Sequence, residues 1–353
     1  MADINLLTPG RIDGFDTKNR MIMAPMTRSR AHVDGVPSEL AITHYAQRAS
    51  AGLILTEGTA PSAVGLGYAR TPAVHSQEQI AAWKKITDAV HAKGGRMYMQ
   101  FMHVGRIAHS FNRYTDEPPV APSVVKAAGQ MWTDKAGLQD FDTPRALELS
   151  EIPGVIEEYA QATRNALAAG FDGVELHSAS GYLPMQFLST GTNRRTDSYG
   201  GSVSNRIRFV VEALEAMIAA AGSSGRVGMK ISPAMPFNDC TDDNPVETYT
   251  TLVKAISPLG LGYLHVLRTT IPDTFELLRP LFKGPFAAGG GFDRDKGNAL
   301  LASGGADYIV FGKLFTSNPD LPARFSNGAE ITPWNAETFY TPGEKGYTDY
   351  AAV

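Results

Sequence analysis

The residues best suited to chemistry in this chain sit in one short turn. An apolar run, Val174-Glu-Leu176, leads into His177-Ser-Ala-Ser180-Gly-Tyr182. A tyrosine near pKa 10 can give a proton to a carbanion-like carbon, and a histidine N–H can polarise a carbonyl or nitro oxygen. A lone histidine is more often a buried one bonded to a backbone carbonyl. Ser180 three residues on and Tyr182 five on, around Gly181, shift that balance towards a site. No nucleophile–base–acid trio accompanies them, and no histidine pair has ligand spacing, so no metal is expected.

Four further features carry chemistry. Lys230 interrupts the apolar alternation of Val227, Met229 and Ile231, which turns it to the opposite face, where a buried ammonium needs an anionic or electron-rich partner. Gln100 lies mid-way through a similar run and offers both donor and acceptor, as the edge of a heterocycle requires. Gly289-Gly290-Gly291 and Phe311-Gly312-Lys313 each follow an apolar run. Glycines let backbone N–H groups approach an anion, and a lysine adds a charge beside them. The competing reading is a tight turn and a solvated surface lysine.

These residues need elements to hold them. Eight apolar runs, 20–26, 53–57, 96–103, 173–177, 227–232, 263–267, 286–289 and 308–312, read as strands covered on both faces. Between them lie helical periods. Residues 77–93 put Ile80, Trp83, Ile86 and Val90 on one side; a second period runs to Ala169 with Ser150 as its N-cap; a third covers 204–221. Eight alternating units predict a closed (β/α)₈ TIM barrel, with residues 1–353 as a single domain. Residues 6–15 precede the first strand and read as a β-hairpin plugging the barrel's N-terminal mouth. The gap from His103 to Asp172 is too long for one helix, and its Pro118-Pro119, Pro122 and Gly129 mark an insertion over the barrel top. The candidate residues above all fall at C-terminal strand ends, where this fold builds its sites, and the loops after the seventh and eighth strands form its usual phosphate site.

Bulk properties narrow the partners. A net charge of −4 gives no reason to expect nucleic acid or an anionic membrane surface. The single cysteine, Cys240, makes no internal disulfide and suits a reducing compartment. The start of the chain has no basic-then-apolar leader, and no stretch reaches eighteen apolar residues, so a cytoplasmic protein without membrane span is expected. The expected assembly is a monomer or weak homo-oligomer.

Nearly the whole chain resembles the old yellow enzymes, FMN-dependent ene-reductases. The resemblance rests on Asn19-Arg-Met-Ile-Met-Ala-Pro-Met-Thr-Arg28, Tyr45-Ala-Gln-Arg-Ala-Ser-Ala-Gly52, Gly67-Tyr68, the run 170–183 and Gln186-Phe-Leu188. It continues through 193–202, Phe311-Gly312, Asn318-Pro-Asp-Leu321 and Gly346-Tyr-Thr-Asp-Tyr350. The chain looks closest to the bacterial branch of N-ethylmaleimide and glycerol trinitrate reductases. The resemblance implies tightly bound, non-covalent FMN, reduced by NADPH or NADH, which then gives hydride to the β-carbon of an activated alkene such as an unsaturated carbonyl, maleimide or nitroalkene. It implies Tyr182 as proton donor, with His177 and Ser180 binding the electron-withdrawing oxygen. Around FMN it puts Pro25, Met26, Thr27 and Gly58 on one side, Gln100 at the pyrimidine edge and Lys230 near N1 and O2. Gly290, Gly291, Gly312 and Lys313 would hold the phosphate, and Tyr68, Met102 and Tyr350 would line the substrate side.

The departures from the family pattern are specific. Ser180 stands where relatives carry histidine or asparagine, which shortens the side chain and leaves one donor. Met102 stands in place of tryptophan and widens the pocket. Lys230 and Lys313 stand in place of arginine and lose its two-pronged geometry. Two other activities suit the same residues. One is a flavin reductase of nitrate esters, nitro compounds or quinones with weak alkene reduction. The other, more remote, is a flavin-free lyase or isomerase that uses the glycine loops for a sugar phosphate.

Overall fold

The computed structural model describes residues 4–12 and 14–353. Eight parallel strands close into a barrel: β1 (Met21–Met23), β2 (Leu53–Leu55), β3 (Met97–Phe101), β4 (Gly173–Ser178), β5 (Val227–Ile231), β6 (Tyr263–Leu267), β7 (Phe286–Gly289) and β8 (Tyr308–Phe311). Helices follow the strands on the outside, as the TIM barrel expectation required. The first strand is shorter than the apolar run 20–26, because the chain leaves the ladder before Pro25, which has no N–H to donate.

Alternation sorts the strand side chains into two cores. Met23, Ile54, Met99, Leu176, Met229, Val266, Ala288 and Ile309 face outward and pack with the helices in the larger cluster. Ile22, Leu53, Leu55, Tyr98, Tyr263, Ala287, Tyr308 and Val310 form the second cluster, on the opposite strand face. That face is the lumen. Its lower half is filled by tyrosine rings, and glycines in neighbouring strands make the room: a Cβ on Gly228 would lie 2.4 Å from the Tyr263 ring, and one on Gly173 2.4 Å from that of Tyr98.

Two antiparallel strands, Gly10–Ile12 and Phe15–Thr17, form the expected hairpin, and Asp13 between them lies outside the described residues. Ile12 is fully buried in the lumen cluster, the Phe15 ring meets Tyr98 edge-on at 6.0 Å, and Thr17 Oγ1 is 3.0 Å from the Tyr308 hydroxyl. The hairpin therefore closes the bottom of the barrel.

The helix Gln77–Ala92 begins with Ser76 and Gln79 capping each other's backbone N–H, and its Trp83 is buried against Phe171. Ser150 does not cap the next long helix. That helix spans Ile152–Ala168 behind Glu151, without a side-chain cap, and Pro153 in its first turn removes one of the N–H groups a cap would serve. Helix Val203–Ala221 is capped by Ser202 and ends on Gly222 in the left-handed region. The insertion after β3 contains a hairpin of its own, Gln130–Thr133 with Gly137–Asp140. The apolar residues after Tyr182 form a short helix, Leu183–Leu188.

The C-terminal segment returns over the barrel top and is held by two arginines that follow β1. Arg28 Nε donates to Phe339 O at 3.1 Å, and Arg30 donates to the carbonyls of Thr338, Phe339, Gly343 and Lys345 at 2.8–3.0 Å. Glu57, buried beneath them, accepts the Arg28 backbone N–H at 3.1 Å. Burial pushes its carboxyl up to about 7, against the pull of that N–H and of the Arg28 and Arg30 charges.

Two expectations follow from this architecture. Ile12→Ala empties the barrel floor and should cost about 2–4 kcal/mol in urea unfolding; a loss under about 1 kcal/mol would mean that the hairpin does not seal the lumen. Glu57 keeps its proton in the folded chain over a pH range where the unfolded chain has released it. Its contribution to stability is therefore largest below the ordinary carboxyl pKa and falls as pH rises from about 4.5 through 7, by roughly 2–3 kcal/mol. Glu57→Gln removes that dependence, so its stability relative to wild type should improve between pH 5 and pH 8. A pH-independent difference would contradict the assignment.

Candidate active site

Register gathers the inward polar residues of three neighbouring strands and β3 into one layer. Gln100 pairs with Glu175, His177 with Lys230, and Lys230 with His265. Paired residues of parallel strands, and residues two apart on one strand, share a face. Gln100 Nε2 donates to Glu175 Oε1 at 2.7 Å, and Glu175 Oε2 lies 3.1 Å from His265 Nδ1. All three are at most 1% exposed. Sequence reasoning missed Glu175 and His265, although Glu175 stands two before His177 and so shares its face.

Lys230 forms no hydrogen bond or ion pair with a described residue. Burial lowers its pKa, with the Glu175 charge opposing. His177 is also buried, and its Nδ1 has no partner. Burial first, then the charge of Lys230 and His265, holds its pKa well below the usual range. His177 is thus a neutral donor or acceptor at physiological pH. The layer consequently presents one partnerless ammonium and one partnerless ring nitrogen.

The turn after β4 is built on left-handed backbone. Ser180 has φ +56° and Gly181 φ +77°, and a Cβ on Gly181 would lie 2.8 Å from Asn238 Cβ, so only glycine lets the two loops meet. Tyr182 then opens the helix Leu183–Leu188. Its ring stands edge-on to His177, with centroids 4.8 Å apart and planes at 80°, and its hydroxyl is 3.2 Å from that of Tyr68. Burial, then Tyr68, raises the Tyr182 pKa well above 10, so it stays protonated across the physiological range. Ser180 is spent on its backbone: its N–H donates to Ser232 Oγ and its carbonyl accepts from Asn238 Nδ2, both at 2.8 Å. Its hydroxyl lies 3.9 Å from the Met235 sulfur.

Above this layer opens a cavity of about 880 Å³. Thr27, Tyr68 and Tyr182 line it; Met102, Ser180, His177 and Tyr350 do not. Most of the rest of the wall comes from three loops. The insertion gives Met131, Trp132 and Phe141, the loop after β5 gives Phe237 and Asn238, and the C-terminal segment gives Tyr340 where Tyr350 had been expected. Tyr350 lies ten residues further along, past the part of that segment that faces the cavity. Arg70 ties these walls together, donating to Ser29 O and Tyr340 O and pairing with Asp134 of the insertion. Asn238 had a faint signal in Pro236-Phe-Asn-Asp239, a polar turn just after Lys230. The insertion and tail residues had none, because their place depends on the fold.

The remaining strand ends form a second group. Met102 is buried over Gly58, where a Cβ would come 2.5 Å from its sulfur. Gly312 meets Met26 in the same way, at 2.9 Å, and Pro25 is buried beside them. Gly290 and Gly291 have φ +106° and +75°, and space is open beside Gly291. Among the described residues the N–H groups of Gly290, Gly291 and Gly312 find no acceptor. Lys313 is exposed, with its ammonium 4.2 Å from the Trp334 ring centre.

The chain is similar to known proteins over nearly its whole length. A profile of the NADH:flavin oxidoreductase / NADH oxidase family matches residues 5–331. A putative 12-oxophytodienoate reductase 4 of Oryza sativa subsp. japonica is 41% identical, covering 99% of this chain and 93% of that protein. Among solved structures, morphinone reductase superposes with a TM-score of 0.95 at 42% identity, over 100% of this chain and 97% of that one. The old yellow enzyme homologue from Zymomonas mobilis gives 0.96 at 40% identity, over 99% and 100%.

Proposed function

Since the chain belongs to the NADH:flavin oxidoreductase / NADH oxidase family, the old yellow enzymes, we infer that it reduces the C=C bond of activated alkenes, with Tyr182 as the acid. FMN and NAD(P)H are its cofactors. The residues present suit FMN. Lys230 brings an unpaired ammonium, Gln100 a carboxamide, and Gly290, Gly291 and Gly312 unspent N–H groups for a phosphate. Lys313 sits on Trp334, which leaves more of the phosphate to those N–H groups. When bound, FMN relays hydride from NAD(P)H to the β-carbon of the alkene.

The protein's own part is positional and acidic. Tyr182, protonated and lining the cavity, adds a proton at the α-carbon. His177, held neutral by burial and set edge-on to the Tyr182 ring, donates to the electron-withdrawing oxygen without carrying a charge into the site. The aromatic and thioether wall of Tyr68, Trp132, Phe141, Tyr340 and Met131 excludes water and leaves room for a bulky unsaturated carbonyl. The observation that carries this reading is the Tyr182 hydroxyl at the cavity wall, its ring against the partnerless His177.

A second reading, reduction of nitro compounds, quinones or nitrate esters with weak alkene reduction, draws on the Ser180 hydroxyl lying against Met235, away from the cavity. The two separate experimentally. Purified protein should be yellow; a colourless preparation that takes up no added FMN would defeat both. With 2-cyclohexenone, Tyr182→Phe should lose at least 100-fold in turnover while NAD(P)H still bleaches the flavin. Retained alkene reduction would remove Tyr182 as the acid. Ser180→Asn puts back an amide at a left-handed position that asparagine tolerates, and alkene turnover should rise several-fold. No change there would show that position 180 does not limit oxygen binding.

A further inference from the structure

An acid that spends its proton in every turnover must regain one, and Tyr182 is only 7% exposed. Around it stand Met102, Met131 and Phe141, which carry no exchangeable proton, and His177, whose depressed pKa leaves it neutral, with no imidazolium proton to give. The exception is Tyr68. Its hydroxyl accepts the Tyr182 O–H at 3.2 Å, and it is half-buried at the cavity wall.

Asn238 stands beside this pair. Its Nδ2 donates to the Ser180 carbonyl at 2.8 Å and lies 3.5 Å from the Tyr68 oxygen. Both Asn238 (φ +58°) and Ser180 (φ +56°) are left-handed, and their loops press together across Gly181. Left-handed non-glycine residues persist only where the surroundings hold them, and they cluster at functional sites. Here the held group is one amide, pinned between the β4 turn and the tyrosine pair.

We propose that Tyr68 returns a proton to Tyr182 after each turnover, and that Asn238 is the positioning residue that holds Tyr68 in line. This rests on the reading of Tyr182 as the acid. As the new C–H bond forms, the Tyr182 O–H bond breaks and leaves a phenolate. The Tyr68 O–H bond then breaks as Tyr182 O–H re-forms, and water in the cavity protonates Tyr68. One solvent proton is consumed per alkene, and no other reactant is needed. The Asn238 N–H donates to the Tyr68 oxygen while that oxygen carries charge. Burial raises the pKa of both tyrosines, and Asn238 opposes the rise at each.

Two rates on the FMN-loaded enzyme test the relay: a single turnover of pre-reduced enzyme with 2-cyclohexenone, and steady-state turnover of the same alkene. In the first, the proton is already on Tyr182. In the second, it must be replaced. Tyr68→Phe and the isosteric Asn238→Asp should each lower the ratio of steady-state to single-turnover rate about fivefold or more. A solvent deuterium isotope effect should appear on steady-state turnover, while turnover of a para-benzoquinone, whose oxygens take protons from water, should fall much less. If both variants slow both rates and the quinone reaction alike, or change none of them, the relay is overturned. Tyr182→Phe in the same assay judges the acid itself: if it still reduces the alkene, the reading beneath the relay fails, whichever way the other variants fall.

Discussion

A closed parallel barrel leaves each strand residue one of two places, against the helices or in the lumen, and the lumen holds only side chains. Everything else in this protein depends on how that lumen is filled. The lower half takes Tyr98, Tyr263 and Tyr308, with Ile12 of the hairpin as a stopper. The upper half takes Gln100, Glu175, His177, Lys230 and His265. Burying a charge is costly unless it is paired, and the layer answers the cost unevenly. Glu175 is satisfied by Gln100 and His265, while Lys230 and His177 Nδ1 are left without partners. The unsatisfied groups lie near the C-terminal ends of their strands, where this fold builds its sites.

The barrel supplies the floor of the site but little of its walls. Those come from the insertion after β3, the loop after β5 and the C-terminal segment, which are distant in sequence and brought together by arginines. Arg28 and Arg30 hold the tail through its carbonyls, and Arg70 links Ser29, Tyr340 and Asp134. A guanidinium has donors pointing several ways in one plane, so one side chain can fix several backbone strands at once. The cavity's shape therefore depends on contacts that touch no substrate.

Much of this was legible in the chain. Runs 263–267 and 286–289 are strands with those bounds, because parallel strands buried on both faces are apolar throughout. Tyr182, Lys230, Gln100 and the glycine loops stood out by breaking that pattern. Ser150 was misleading: a serine before a helical period suggests a cap, yet Pro153 and Glu151 set the start of that helix. Ser180 reads as an oxygen-binding member of the turn, and its hydroxyl instead lies on Met235, since a left-handed φ redirects the side chain.

By itself, the sequence determined the barrel, its strand order and which residues lie at the strand ends, because those follow from local periodicity and from the turn chemistry of glycine and proline. Tertiary structure alone decided that Glu175 neutralises the layer beneath Lys230, that Tyr340 and not Tyr350 faces the cavity, and that Asn238 meets both Tyr68 and Ser180. Each of these depends on register or on two loops far apart in the chain. Local propensity carries no information about which side chains such loops bring within hydrogen-bonding distance.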